Sequence, residues 1–171
     1  MRASAPLVAI FGLVLGLVAT APLASAAEKG GGGDNKPLEV VNHLKPDDIA
    51  GVLRDAGFRA ELLKQNNRWR IHTGMGGRKI TVYLYCDESG ACDSLTYSLG
   101  FTASSDFTLA MANKWNRDKR YAKAYIDTDG GMVMEYDLSF SGGVTRDTVA
   151  ESARLFDRLV SMFDQAISSS N

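Results

Sequence analysis

Across residues 46–56 apolar positions recur at three- and four-residue intervals, so that Ile49, Val52, Leu53 and Ala56 share one side of a helix. Pro46 suits the first helical position. Asp47 and Asp48 suit the positive end of the helix dipole, and Gly57 the left-handed cap beyond it. The period then changes to two. "RAELLKQ" and "RWRIHT" read as short strands around the turn residues Asn66 and Asn67, and "KITVYLYC" follows a "GMGG" turn. In "DSLTYSLGF" the alternation is strict, with Leu95, Tyr97, Leu99 and Phe101 on one side. Placing Cys86 opposite Cys92 turns Ile80, Val82 and Leu84 away from Leu95 and Leu99, whereas aligning the apolar faces separates the cysteines. A bulge near the tip reconciles the two requirements.

The helical period returns in "SSDFTLAMANKWNRDKR". Ser104 or Ser105 is the expected cap, Asp106 lies in the first turn, and Phe107, Ala110, Met111 and Trp115 form the apolar stripe. Two strands flank "DTDGG" next, and loop length decides what they bury. A two-residue turn at Asp129 and Gly130 mixes Lys123 and Asp127 with the apolar side. A three-residue loop, Thr128 to Gly130 with Gly130 left-handed, gathers Ala122, Ala124, Ile126, Met134, Tyr136, Leu138 and Phe140 on one face and sets Lys123 against Glu135. The three-residue loop is therefore expected. A last helix begins at a Thr145 cap and runs to about residue 167. Val149, Phe156, Leu159, Val160, Phe163 and Ile167 face inward, Met162 is assigned to the core, and Arg154, Asp157, Arg158 and Asp164 form a solvated face.

The pattern predicts an α+β fold with element order α-β-β-β-β-α-β-β-α. The first 26 residues hold Arg2, an apolar run from Leu7 to about Ala19, and small residues at Ala24 and Ala26. This is the layout of a secretory signal peptide cleaved between Ala26 and Ala27. The run is short for a membrane span, which needs about 20 residues, so no stable span is expected after cleavage. Residues 27–37, with four consecutive glycines, read as a flexible tether, and residues 38–171 as a single domain. The expected location is periplasmic or secreted. In that oxidising setting Cys86 and Cys92 pair as a structural disulfide; their spacing inside a strand-rich segment is unlike the Cys-x-x-Cys of redox enzymes.

Removing residues 1–26 takes away one basic residue and moves the formal charge from −1 to −2. That balance gives no broad attraction to nucleic acid, and Arg117, Lys119 and Arg120 read as a helix C-terminus. Candidate chemistry is sparse. A calcium loop opening at Asp127 would need an acidic ligand at its twelfth position, which is Leu138. His43 and His72 have no zinc-ligand spacing, no Gly-x-Ser-x-Gly elbow occurs, and "TGMGGRK" lacks the ending of a phosphate loop. No catalytic residues, cofactor or metal site are expected. Trp115 and Asn116 are assigned to structure, the indole in the core and the amide satisfying backbone groups between helix and strand.

The run "NKWNRDKRYAKAYIDTDGGMVMEYDLSFSGGVT" resembles the signature of the YbjN-domain family of bacterial sensory transduction regulators. The motif is carried by Asn113, Trp115, Asn116, Arg120, Ala122, Ala124, Tyr125, Asp127, Gly143 and Val144, and the cysteine segment is similar to exported members. The resemblance implies a fold related to type III secretion chaperones, with helices on a strongly bent antiparallel sheet, and a non-enzymatic role. The leading expectation is an exported, non-catalytic module that binds a protein or peptide, with a homodimer among its expected forms. Its partner surface is expected at Tyr121, Lys123, Tyr125, Val133 and Glu135, on the hairpin side away from the core. The alternative is a periplasmic sensor of a small molecule or metal ion.

Overall fold

The computed structural model describes residues 39–168. The expected cleavage site at Ala26 and Ala27 and the tether through residue 37 lie outside them. The elements are β1 (Val40–Val41), α1 (Pro46–Asp55), β2 (Glu61–Gln65), β3 (Arg68–Met75), β4 (Arg78–Cys86) and β5 (Cys92–Gly100). They continue with α2 (Leu109–Asp118), β6 (Lys123–Ile126), β7 (Met132–Ser139), β8 (Val144–Thr145) and α3 (Arg146–Ser168). This matches the expected order, with the two-residue β1 and β8 added as an antiparallel pair of their own. The main sheet is antiparallel, in the order β2-β3-β4-β5-β7-β6.

Local chemistry sets the register. Asn66 and Asn67 both take positive φ (51° and 60°), giving the left-handed pair that a two-residue hairpin turn requires between Gln65 and Arg68. The β6–β7 hairpin closes through Thr128, Asp129 and Gly130: Gly130 has φ +84°, and the register pairs Ile126 with Met132 and Lys123 with Glu135. Between β4 and β5, Val82 pairs with Tyr97 and Leu84 with Leu95, yet Cys86 pairs with Cys92. Asp93 is the extra residue of the bulge. Its carbonyl accepts the Phe140 amide at 2.7 Å, and the two cysteines form a disulfide.

One face of the sheet, the inner face, carries Ile71, Ile80, Val82, Leu95, Tyr97, Leu99 and Met134, all buried. Against it pack Ile49 and Leu53 of α1 and Val149, Ala153, Phe156, Val160 and Phe163 of α3. Thr145 caps α3, its Oγ1 accepting the Thr148 amide at 3.1 Å. Several expectations need correction. The second helix is capped by Thr108, whose side chain accepts from Met111 N; the Ser104 hydroxyl instead accepts the Asp106 amide in a separate turn that tucks Phe107 edge-on to Phe101. Met162 is exposed, because it falls on the side of α3 turned from the sheet.

Asp157 and Asp164, expected on a solvated face, grip the β3–β4 turn: Asp157 Oδ1 accepts the Gly76 amide at 2.7 Å and Asp164 pairs with Arg78. Gly76 has φ +55°, and a Cβ there would lie 2.6 Å from Val160 Cγ1. Gly76→Ala is expected to cost about 2–4 kcal/mol, combining left-handed strain with overpacking. Gly77→Ala, whose methyl meets nothing within 4 Å, should cost only about 1–2 kcal/mol. Urea unfolding measures both, and equal costs would mean that Val160 yields without penalty.

Candidate interaction surface

Strand alternation that turns the apolar residues inward leaves a second face, the outer face, without a covering helix. The register lays its side chains out in rows. One row runs Leu63, Arg70, Tyr83, Thr96, Asp137 from β2 through β7. The next runs Glu61, His72, Thr81, Ser98, Glu135, Lys123 across all six strands. Tyr125 and Val133 pair beyond that row, and Arg68, Tyr85 and Ser94 lie on the opposite side. Tyr83, Tyr85 and Tyr125 are among the exposed large side chains.

Charges on this face are fixed by neighbours. Asp137 accepts from the Thr96 hydroxyl and from Lys123 Nζ at 3.0 Å, while Lys123 also reaches Glu135 at 3.4 Å. Partial burial alone would raise the Asp137 pKa, but the Thr96 and Lys123 hydrogen bonds outweigh it and hold the carboxyl below its ordinary 3.8. Lys123 is held above its ordinary value, chiefly by the Asp137 bond. The Tyr125 phenol is pushed up to about 12 by desolvation and then by the Glu135 charge, so it keeps its proton as a hydrogen-bond donor. The Arg70 guanidinium lies 5.6 Å from the Tyr83 ring centroid, and its Nε is shielded from water with no hydrogen-bond partner among the described residues.

The β6 edge is closed by α2. Asn116 Oδ1 accepts the Ala124 amide at 2.7 Å and Asn116 Nδ2 donates to the Ala124 carbonyl at 2.9 Å, so one side-chain amide stands in for a neighbouring strand. Trp115 is buried edge-on to Phe163, and its Nε1 donates to the Ala122 carbonyl at 3.0 Å. Asn113 is exposed on α2, Gly143 leads into β8, and Val144 begins that strand.

Lys123, Tyr125, Val133 and Glu135 come together on the outer face. Tyr121 does not join them. It precedes β6 at φ +77°, 58% exposed, with the Arg120 guanidinium over its ring, because the chain turns there to leave α2. Sequence reasoning missed Arg70, Tyr83, Thr96 and Asp137. The alternation of "KITVYLYC" carries Tyr83 and Tyr85 outward, but the strand order that places β4 and β5 beside β7 has no local signal. Among the described residues no three His, Cys, Asp or Glu side chains converge to hold a metal, and no helix is long and apolar enough to cross a membrane.

The family model described as "Putative bacterial sensory transduction regulator", YbjN, matches residues 45–169. The chain belongs to the YbjN family. A solved structure titled "Crystal structure of YbjN, a putative transcription regulator from E. coli" is similar at TM-score 0.55 and 18% identity, covering 73% of this chain and 91% of that one. At that identity the likeness is one of fold. No curated protein matches this YbjN-family chain.

Asn116→Ala removes both contacts to Ala124 and is expected to cost about 2 kcal/mol in urea unfolding. Asn116→Asp should cost as much or more, since a carboxylate keeps the acceptor but faces the Ala124 carbonyl; full stability in the aspartate variant would show that the donor half is dispensable. A carboxyl with a depressed folded-state pKa contributes stability above its unfolded pKa and loses it as pH falls through the folded value. The melting-temperature gap between the natural chain and Asp137→Asn is therefore expected to be full above about pH 5 and to close as pH falls through the depressed folded-state value. A gap independent of pH would show that the charge of Asp137 is irrelevant.

Proposed function

We propose that this chain is an exported, non-catalytic module that engages a protein or peptide through the outer face of its sheet, in a regulatory role. One observation carries the reading: an uncovered sheet face on which exposed tyrosines are interleaved with charges held in place by their neighbours. Tyrosine and arginine supply large contact area and directed hydrogen bonds at little entropic cost, which is why they are enriched where proteins meet. The β6 edge is sealed by Asn116, which directs recognition to side chains on the face rather than to strand addition at that edge. The signal-like first 26 residues support export.

The test is a photo-reactive residue placed in turn at Tyr83, Tyr125 and, as a control, the exposed Arg158 on α3, in the full chain in an exporting cell. Crosslinks are expected from the first two positions and not from the third, on a chain whose mass shows it to begin at Ala27. Equal crosslinking from all three, or none from Tyr83 and Tyr125, sinks the surface assignment. A chain retained in the cytoplasm with residues 1–26 intact sinks export.

A further inference from the structure

We propose that the cavity where α1 runs out into β2 binds a phosphate monoester group. The site goes beyond the reading of the outer face as a protein-binding surface and holds whether or not a protein covers that face. The cavity has a volume of about 770 Å³ and lies between Arg54 in the last turn of α1, Arg59 and Glu61 around the start of β2, and Thr73, Gly74 and Lys79 of the β3–β4 hairpin.

Register explains why cations gather there. Glu61 opens β2 opposite His72, and two residues earlier the same count sets Arg59 beside Gly74, whose partner on the other side is Lys79. Gly74 thus leaves a gap between two cations. Neither backbone nor packing requires a glycine at this position. Its φ is outside the left-handed region, β3 and β4 pair there without a bulge, and a Cβ would meet only the Arg78 carbonyl, at 3.8 Å. A glycine inside a strand weakens it, and apart from bulges and close backbone contacts it marks the approach of a ligand.

These cations have no acid partners. Arg54, Arg59 and Lys79 take part in no ion pair among the described residues. Arg54 donates from Nε to the Ala60 carbonyl at 3.4 Å, which leaves its two amino groups for a ligand. Glu61 is the one carboxylate of the lining, so the cavity is positive on a chain whose formal charge is −1. A concave site of one sign concentrates ligands of the other. Two guanidinium forks and an ammonium offer more donors than the oxygens of a carboxylate accept, and a phosphate monoester presents a further oxygen and a second charge. Thr73 lines the cavity from the inner side at 8% exposure, and its Oγ1 has no hydrogen-bond partner among the described residues. A ligand oxygen, or a water that it holds, meets that need. The volume is within the range of small-molecule sites and leaves room for the organic part of the monoester.

The experiment is calorimetric titration of the full chain purified from the exporting cell, at about 50 mM salt to limit screening. The probes are glycerol 3-phosphate, acetate, and phosphatidylcholine vesicles with and without phosphatidic acid. Glycerol 3-phosphate is expected to bind with a Kd below about 1 mM, and acetate at least about tenfold more weakly. Arg59→Gln and Lys79→Gln should each weaken phosphate binding about tenfold, and Arg158→Gln on α3 should leave it unchanged. Gly74→Val should keep or raise the melting temperature, because valine suits a strand, yet weaken binding at least about tenfold by filling the gap. Binding of the phosphatidic acid vesicles alone, lost in the same variants, supports the site and assigns the phosphate to a lipid headgroup. No binding of either phosphate probe at about 1 mM, equal affinity for acetate, or a folded Gly74→Val chain that binds as before each overturn the proposal. If Gly74→Val does not fold, the two glutamine variants decide, and unchanged binding in both overturns it.

Discussion

Tyr97 hangs from the middle of β5 with no exposure to solvent, and its hydroxyl ends on α3, 2.9 Å from Ser152 Oγ and 3.4 Å from the Val149 carbonyl. Its ring stacks 5.3 Å from Phe156 and 6.1 Å from Tyr136. A buried hydroxyl must find a partner or lose more than the ring gains, so this residue determines where along the sheet α3 sits. Burial drives its phenol pKa far above the ordinary value, and the group is a neutral donor at any physiological pH. From that anchor the remaining contacts of α3 follow in sequence. About one to three turns on, Asp157, Val160 and Asp164 reach the β3–β4 turn, and Phe163 meets Trp115 of α2.

Those contacts explain why so much of the architecture could be read from the chain and where reading failed. Strands covered on one side alternate, so the apolar sets of β4, β5 and β7 were visible. The requirement that they align while Cys86 meets Cys92 demanded a bulge, which the register contains at Asp93. The three-residue loop followed from the same sorting. Polar residues with two uses were illegible. Ser104 and Asp106 look like a helix start but close a turn on each other, and Asp157 and Asp164 look like solvent-facing acids but bind a turn some 80 positions away. Two-residue strands such as β1 and β8 carry no period at all. The surface was half legible for a related reason: neighbours on β6 and β7 are local partners, whereas rows that cross from β3 to β7 depend on strand order.

The sealed edge and the open face divide the sheet's labour. An unpaired strand edge is a template for indiscriminate pairing, and at β6 the Asn116 amide removes it. The outer face instead presents side chains, among which Lys123 bridges two acids and Thr96 steadies one of them. Association through a face of this kind would depend on matching a pattern of charges, which few surfaces do, rather than on offering backbone hydrogen bonds, which any strand can accept.

The short pairing of β1 with β8 has a consequence for the order in which the molecule takes shape. Val40 and Val41 meet Thr145 and Val144 about a hundred positions later, and Leu44 exchanges both backbone bonds with Cys92. Loop closure over such separations is entropically unfavourable until the intervening chain is already compact. Val40 and Val41 are therefore among the last residues that can settle: during synthesis they wait for a strand that emerges almost at the end.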